Sequence, residues 1–303
     1  MNRAHLLLSH PAHFIALGFG AGLSPVAPGT VGTLWAWATY GVLQSWLSPA
    51  EIGVVIAITA LTGYAIAPGR APVWQVAVLT LAVLVSSAAA GAFNQYYEFE
   101  LDRRMDRTRA RPFATGVLRP HRGWLALIAG LCAAAVLAAW AGVNAWAALY
   151  TFLGAFFYAV VYTVWLKRRT WWNIVIGGLA GSFAVLAGAA AVDAAMAPAP
   201  LLLALVLFLW TPSHFWSLAI AYREDYARAG VPMLPVVKGD RIAARAILAN
   251  TILLVAASLA PFWFGCGWIY LAGALLGGLH YLKHNLRLLA RPDRKSTRLN
   301  SSH

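Results

Sequence analysis

Eight long apolar runs dominate this sequence of 303 residues and limit the folds that the chain can adopt. An α-helix rises about 1.5 Å per residue, so about 20 apolar residues are enough to cross a lipid bilayer. Apolar residues make up 61% of the chain and charged residues only 11%, which is more apolar surface than a soluble domain can bury. The sequence therefore predicts an all-α, polytopic transmembrane helix bundle. The predicted spans are 52–67, 73–93, 124–142, 145–165, 172–192, 199–220, 246–264 and 267–282.

Most of the positive charge is concentrated in four loops between these runs. The formal net charge of +13 would suit a nucleic-acid-binding protein, but the basic residues do not form one continuous stripe. If the runs alternate across the bilayer, the four loops share one side, and of the 23 Lys and Arg residues only Arg3 and Arg70 lie elsewhere. Such loops mark the cytoplasmic side of a membrane protein. We therefore expect a cell membrane protein, in the inner membrane of a bacterium, with no nucleic acid partner. The loops are 103–122, 166–171, 221–245 and 283–298.

The densest group of charges follows the second apolar run. One Asn and three acidic residues recur there at intervals of four, which places their side chains in one stripe on a helix. They are Asn94, Glu98, Asp102 and Asp106. Mg²⁺ typically takes one or two carboxylates and completes its shell with water and substrate phosphates. Arg107, Arg109 and Arg111 would supply donors for the same phosphates. The pattern favours a metal–diphosphate site, and the alternative that remains open is a solvated loop with local ion pairs.

Two further polar segments lie on the same side of the predicted bundle. His214 stands inside the sixth run, and Arg223 and Asp225 follow at its end. Ionisable residues at membrane depth are candidates for function, although a single histidine on a helix is more often a packed, hydrogen-bonded residue. The loop after the fourth run contains Lys167 and Arg168, for which anchoring at the cytoplasmic surface is an alternative explanation.

These three segments together resemble the intramembrane prenyltransferases of the UbiA type, over about residues 51–293. Within that family they are most similar to the protoheme IX farnesyltransferases. The similarity is carried by six short motifs that occur in the family's order. They are Met105–Pro112, Tyr162–Arg168, Asn173–Gly178, His214–Trp216, Asp225–Tyr226 and Gly230–Pro235.

The resemblance implies transfer of a farnesyl group from farnesyl diphosphate to a vinyl group of heme b, which gives heme O and diphosphate. It implies Mg²⁺ as cofactor, the lipid bilayer as surroundings, and heme A synthase or cytochrome oxidase assembly proteins as partners. It also implies the roles of individual residues. Asn94, Glu98, Asp102, Asp106 and Asp225 would be catalytic, and all of these except Asp106 would hold the metal. Arg107, Arg111, Lys167, Arg168 and Arg223 would bind diphosphate, and His214 would bind heme.

Both ends of the chain depart from the family pattern. Residues 1–50 contain a glycine-rich stretch, 18–34, that is similar to the amino-terminal signature of phosphatidylglycerophosphatase A, and they lack that family's later acidic segment. Residues 294–303 are polar and stand where a ninth span is expected. We therefore expect a prenyltransferase domain over 51–293 between a foreign or added N-terminal segment and a non-family tail. Either a gene fusion or a lineage-specific extension explains the N-terminal part.

Two other functions compete with heme farnesylation. The first is a prenyltransferase of this type that acts on a quinone precursor or chlorophyllide. The altered sequence after Gly178 keeps this alternative open, whereas the His-Phe-Trp motif argues against it. A transporter or non-catalytic heme-handling protein is the second. Many transporters contain inverted repeats, and we find no such repeat in this sequence.

Overall fold

The computed structural model describes residues 49–192 and 195–290. Within this part the chain forms helices and no strands, and eight long helices correspond one by one to the eight predicted spans. The all-α prediction is thereby confirmed. The helices are α1 (Pro49–Ile66), α2 (Val73–Tyr97), α3 (Arg122–Gly142), α4 (Ala145–Phe156), α5 (Leu179–Ala190), α6 (Pro198–Ala221), α7 (Asp240–Leu259) and α8 (Gly267–Ala290). The N-terminal glycine-rich segment and the polar tail 294–303 lie outside the described residues.

Short local signals set several helix boundaries. The Asn144 side chain accepts a hydrogen bond from the Ala147 backbone N–H at 2.8 Å and so caps the start of α4. Pro198 occupies the first turn of α6, where a helix does not need the missing N–H. Gly265 ends the short turn after α7 with φ 96°, a left-handed conformation that favours glycine. These signals explain why the chain reverses where the apolar runs end.

Shorter helical pieces extend the long ones near the charged loops. A ten-residue π-helix, Phe157–Leu166, continues α4, and Asn173–Gly177 leads into α5. Phe99–Asp102 follows α2, and Arg223–Arg228 follows α6. Side chains from these pieces pack with Met233 and Leu234 into an apolar cluster beneath the loops. This cluster fixes the loops that carry the predicted site residues.

Glycines allow α1 and α5 to cross in direct backbone contact. A Cβ atom at Gly63 would lie 2.0 Å from the Val185 carbonyl oxygen, and one at Gly188 would lie 1.7 Å from the Ala60 carbonyl oxygen. No side chain fits at either distance, and small residues at such crossings are what lets transmembrane helices approach closely. The crossing lies near the end of α1 that is remote from the charged loops.

Six of the described helical segments are long and apolar enough to cross a membrane. They are Val73–Tyr97, Arg122–Gly142, Ala145–Leu166, Asn173–Ala190, Pro198–Ala221 and Asp240–Phe264. The apolar part of α1, Gly53–Ile66, is shorter. The second half of α8 contains His280, Lys283, His284 and Arg287, which lower its mean hydropathy.

Candidate active site

A cavity of about 340 Å³ lies between five helices of the bundle. Its walls come from α1, α2, α4 with its π-helical continuation, α5 and α6, and most of the residues on them are apolar or small. The stretch of α2 from Asn94 to Val83 lines it, which corresponds to a depth of about 16 Å at the rise of an α-helix. The far end reaches Thr62 and Val185, next to the crossing of α1 and α5. A concave apolar space of this size is typical of a ligand site.

Three residues of the predicted polar stripe lie together at the end of this cavity nearest the charged loops. The α-helix breaks at Glu98, which has φ −108° and ψ 15°, and helical geometry resumes at Phe99. The break keeps the register, because Glu98 N–H bonds to the Asn94 carbonyl at 3.0 Å and Asp102 N–H bonds to the Glu98 carbonyl at 2.8 Å. Asn94, Glu98 and Asp102 are only 3%, 3% and 2% exposed.

Asp106 does not continue the stripe, contrary to the sequence-based expectation. After Asp102 the chain leaves helical geometry and runs through a series of turns to Arg111. The Asp106 side chain is 61% exposed, and it pairs with Arg109 at 3.5 Å and with Arg228 at 3.2 Å. The four-residue spacing is therefore a helical stripe over three positions only.

Each buried carboxylate is neutralised by one predicted diphosphate-binding residue. One guanidinium nitrogen of Arg111 donates to both Asp102 oxygens, at 3.1 and 2.9 Å, and lies 3.4 Å from Asn94 Oδ1. Lys167 forms an ion pair with Glu98 Oε2 and also lies over the Tyr162 ring. Buried carboxylates need such partners, because an unpaired charge in a poorly solvated site is strongly disfavoured. The same two cations are within reach of any anion that enters this end of the cavity.

Arg107 adds a third cation to this end of the cavity. It lines the cavity and is exposed to it, beside Tyr226. Tyr226 raises the pKa of the Arg107 guanidinium, and Asp102 adds to the effect, so that this side chain stays protonated. No ion pair involving Arg107 forms within the described residues. Its charge is therefore available to an anionic ligand.

The π-helix positions Lys167, one of the three cations, and Thr163, which forms a hydrogen bond with Asn94. In this segment the Lys167 backbone N–H bonds to the Tyr162 carbonyl at 2.9 Å, five residues back. The Thr163 hydroxyl donates to the Tyr158 carbonyl at 2.8 Å and accepts a hydrogen bond from Asn94 Nδ2 at 3.1 Å. Asn94 Nδ2 also donates to Glu98 Oε2 at 2.7 Å, so the amide orientation is fixed by two partners. π-helical turns are frequent at functional sites.

Glu98 carries the feature that best fits a metal ion. Its Oε1 atom is buried and has no hydrogen-bond partner among the described residues. A buried carboxylate oxygen normally has a partner, so an unsatisfied one indicates a missing ligand such as an ion or water. The described residues contain no group of three or more His, Cys, Asp or Glu side chains suited to a metal. Two carboxylates and the Asn94 amide are nevertheless a suitable set for Mg²⁺, which keeps water and phosphate ligands.

The remaining predicted loop residues lie outside this cavity wall. Asp225 is buried and forms an ion pair with Arg228, the residue that also holds Asp106. Arg223 pairs with Asp240 at 3.2 Å. Arg168 is exposed. Sequence reasoning grouped these side chains with the stripe because they share one side of the membrane, but the sequence does not determine which of them point into the bundle.

His214 is buried in α6 behind the cavity wall. It is 5% exposed, and its ring stacks on Trp210 with the ring centres 4.6 Å apart and contacts Phe215 edge-on at 5.1 Å. Trp210 and Phe215 line the cavity, whereas His214 is not among its lining residues. The structure thus places His214 behind the rings of Trp210 and Phe215, and not in the cavity wall, where we expected it.

Four residues at the site were given no role from the sequence. Thr163 holds Asn94, and three tyrosines form the wall next to the cations; these are Tyr158, Tyr162 and Tyr226. Tyr158 and Tyr162 stack with their ring centres 5.8 Å apart. Tyr162, Thr163 and Tyr226 lie in or beside the family motifs, and this position in the sequence could have indicated that they belong to the site. Nothing in the sequence pattern distinguishes Tyr158.

Sequence comparison gives a consistent result over most of the chain. Residues 56–301 match the model of the UbiA prenyltransferase family. Protoheme IX farnesyltransferase 2 from Paramagnetospirillum magneticum is 58% identical over 248 residues, which are 81% of this chain and 86% of that protein. Protoheme IX farnesyltransferase from Alkalilimnicola ehrlichii is 42% identical over 266 residues, 86% of each chain.

Solved structures agree on the fold. A UbiA homolog from Aeropyrum pernix in its apo form aligns with TM-score 0.66 at 22% identity, over 84% of this chain and 95% of that one. A UbiA homolog from Archaeoglobus fulgidus bound to DMAPP and Mg²⁺ aligns with TM-score 0.65 at 16% identity, over 83% and 87%. The bundle, the apolar spans and the match over 56–301 lead to one conclusion. This chain is a multi-pass membrane enzyme that belongs to the UbiA prenyltransferase family.

Proposed function

We propose that the protein transfers a farnesyl group from farnesyl diphosphate to a vinyl group of protoheme IX (heme b), which gives heme O and diphosphate. The observation that carries the proposal is a buried ionic site at one end of a deep apolar cavity. Such a cavity suits a substrate with a charged head and a long hydrocarbon chain. The choice of acceptor is supported by relatives of up to 58% identity among those compared, which are named protoheme IX farnesyltransferases.

Asn94, Glu98 and Asp102 are the residues that would hold Mg²⁺. The bound ion would neutralise charge that develops on the leaving diphosphate. With a divalent cation beside the two carboxylates, Arg111 and Lys167 would not be needed to neutralise them. Both side chains would then be free to bind phosphate oxygens, together with Arg107. The ion pairs support this assignment, because they hold Arg111 and Lys167 beside the two carboxylates.

The apolar walls determine what happens to the farnesyl group. The bond between farnesyl C1 and the diphosphate oxygen breaks, and C1 forms a bond to the terminal carbon of the acceptor's vinyl group. The allylic cation must meet this carbon before it meets water, and a cavity walled by side chains such as Ile56, Val83 and Leu207 limits the access of water to C1. The new bond leaves a positive charge on the inner vinyl carbon, and one water molecule adds there and loses a proton, which gives the hydroxyl group of heme O. The Tyr158 and Tyr162 rings face the same space and can stabilise positive charge.

We assign the outer acidic and basic residues to the cytoplasmic entrance of the site. Asp106, Asp225, Arg168 and Arg223 lie on the loops that we place in the cytoplasm of a bacterial inner membrane protein. His214 is the residue that we assign to heme, because it packs directly against the cavity-lining rings of Trp210 and Phe215. Direct contact with heme would require these rings to move, so orientation of the macrocycle through them is the role that fits the structure.

The test is farnesyl transfer by the purified full-length protein, with protoheme, farnesyl diphosphate and Mg²⁺ as the supplied components. We expect heme O and diphosphate in equal amounts, loss of both products when EDTA is added, and recovery with excess Mg²⁺. Asp102→Asn should abolish turnover while protoheme still binds, because it removes charge from the metal end of the cavity only. Asp106→Asn is the matched control at an exposed position. Full activity of Asp102→Asn would contradict the assignment of the metal site.

A further inference from the structure

Six glycines of the described residues line the cavity, and at five of them a Cβ atom would lie 3.4 Å or less from a neighbouring atom. A Cβ atom at Gly177 would lie 2.8 Å from the Tyr162 ring, and one at Gly178 would lie 3.0 Å from the Thr211 side chain. At Gly53, Gly154 and Gly181 the nearest neighbouring atoms are 3.3 to 3.4 Å away. Larger residues at these positions would push neighbouring helices or side chains apart.

Gly91 is the exception on this wall. A Cβ atom there would meet no atom within 4 Å, so no neighbouring side chain requires a glycine at this position. Gly91 lies inside α2, six residues before the last helical residue, Tyr97. Glycine is among the least favourable residues in a helix interior, because its backbone loses more conformational freedom on folding than that of any other residue. The local structure alone therefore favours alanine or a larger residue here.

The position of Gly91 relates it to the reacting groups. It precedes Asn94 by three residues, or about 4.5 Å along the helix axis. It therefore lies deeper in the cavity than Asn94, further from the charged loops. The charged head of a prenyl diphosphate at Asn94 and Asp102 would therefore place its first carbons next to Gly91. The acceptor must reach the same place, since the new bond forms at the carbon that carried the diphosphate.

We propose that Gly91 determines acceptor size by leaving room beside the reacting carbon for a broad planar macrocycle. A linear isoprenoid chain is narrow along its whole length, whereas a tetrapyrrole needs width at this one level. Open space in front of Gly91 supplies that width where the two substrates meet. The inference rests on the proposed function, because it takes protoheme as the acceptor.

The experiment is a series of Gly91→Ala, Gly91→Val and Gly91→Leu in the full-length protein. We expect kcat/KM for protoheme to fall with side-chain size, by about tenfold or more for leucine, which is the usual effect of steric mismatch in a pocket. The KM for protoheme should rise, while the affinity for farnesyl diphosphate with Mg²⁺ stays the same. The unfolding midpoint of Gly91→Ala should be unchanged or higher.

Gly130 provides the matched control. It lies inside α3, is exposed on the outside of the bundle, and also has no atom within 4 Å of a Cβ position. The same three substitutions there should leave both substrates' kinetics unchanged. If Gly91→Leu does not fold, the alanine and valine variants decide the question.

Three results separate the possible failures. A loss of farnesyl diphosphate affinity with an unchanged KM for protoheme would show that Gly91 borders the prenyl chain instead, and would overturn the inference. Gly91 variants that behave like the Gly130 variants would also overturn it. If the wild-type protein makes no heme O in this assay, the proposed function fails as well. If the wild-type protein is active and the Gly91 substitutions do not change its kinetics, this inference alone is refuted.

Discussion

At the scale of single residues, two ion pairs combine stability and function. Glu98 and Asp102 are almost fully buried, and each has a cationic partner that is only slightly exposed, Lys167 at 12% and Arg111 at 18%. Breaking a buried pair by removing one partner typically destabilises a protein by about 3–5 kcal/mol, because the other charge stays buried alone. A single substitution at these positions should therefore affect folding and turnover together.

Lys167→Met tests this double role. We expect turnover to fall by about 100-fold or more, because the variant lacks a side chain that we propose as a diphosphate ligand; this corresponds to a loss of about 3 kcal/mol in transition-state binding. We also expect a lower unfolding midpoint, because Glu98 loses its cation. The measurements are steady-state transfer of the farnesyl group and thermal unfolding in detergent.

Arg169→Met is the control for this variant. It lies two residues further along the same loop, is exposed, and forms no ion pair within the described residues. It should leave both measurements nearly unchanged. Equal effects of the two substitutions would mean that only the loop's overall charge matters.

At the scale of helices, the crossing of α1 and α5 and the π-helix shape the site in different ways. The crossing joins two cavity walls at their far ends. The π-helix includes one residue more per hydrogen-bonded turn than an α-helix, which changes the direction in which the side chains after it point. Lys167 follows this segment and reaches Glu98 from the neighbouring helix.

The crossing gives a clear prediction about stability. Gly188→Ala would place a methyl group 1.7 Å from the Ala60 carbonyl oxygen, an atom of the backbone that cannot move without shifting α1. We expect destabilisation by about 1–3 kcal/mol, the usual range for overpacking, and a corresponding decrease in the unfolding midpoint. Gly130→Ala, on the open side of α3, should show no decrease. A stable Gly188→Ala variant would show that the helices are less tightly joined than the structure indicates.

The sequence predicts the long helices of the bundle but not the irregular segments near the site, and the difference has a physical cause. The eight helices follow from apolar runs, and α2 begins at Val73 as expected and ends at Tyr97, four residues later than the predicted run. Span length depends on the bilayer, which acts equally on every helix, so sequence alone is sufficient. The break at Glu98 and the π-helix depend on contacts between helices, such as that of Asn94 with Thr163. No local pattern marks either feature.

At the scale of the whole molecule, the candidate site uses a limited part of the chain. Among the described residues, those that line the cavity lie between Gly53 and Tyr226. The sequence grouped Asn94, Glu98, Asp102, Arg111 and Lys167, and the structure brings these five side chains together, whereas Asp106 lies apart from them. It did not separate side chains that point into the bundle, such as Arg111, from those at the entrance, such as Arg223, since this depends on how each loop folds back.

Deletion of residues 1–48 tests the predicted domain boundary. We expect farnesyl transfer and the unfolding midpoint to be retained, because α1 begins at Pro49 and the described part of the cavity wall begins at Gly53. Deletion of residues 1–66, which also removes α1, should abolish transfer, because one wall of the cavity is lost. Inactivity of the shorter deletion would show that the N-terminal segment is an integral part of the enzyme.

The two buried ion pairs also have a consequence for the order in which substrates bind. The two ion pairs, Lys167 with Glu98 and Arg111 with Asp102, carry no net charge, and Arg107 adds one positive charge to the site. Free Mg²⁺ alone would add uncompensated positive charge, and free farnesyl diphosphate alone would add several uncompensated negative charges, both in a poorly solvated place. The preformed complex of the two brings little net charge, which Arg107 offsets. The enzyme should therefore respond to the concentration of the metal–diphosphate complex, and an excess of either component should not replace the other.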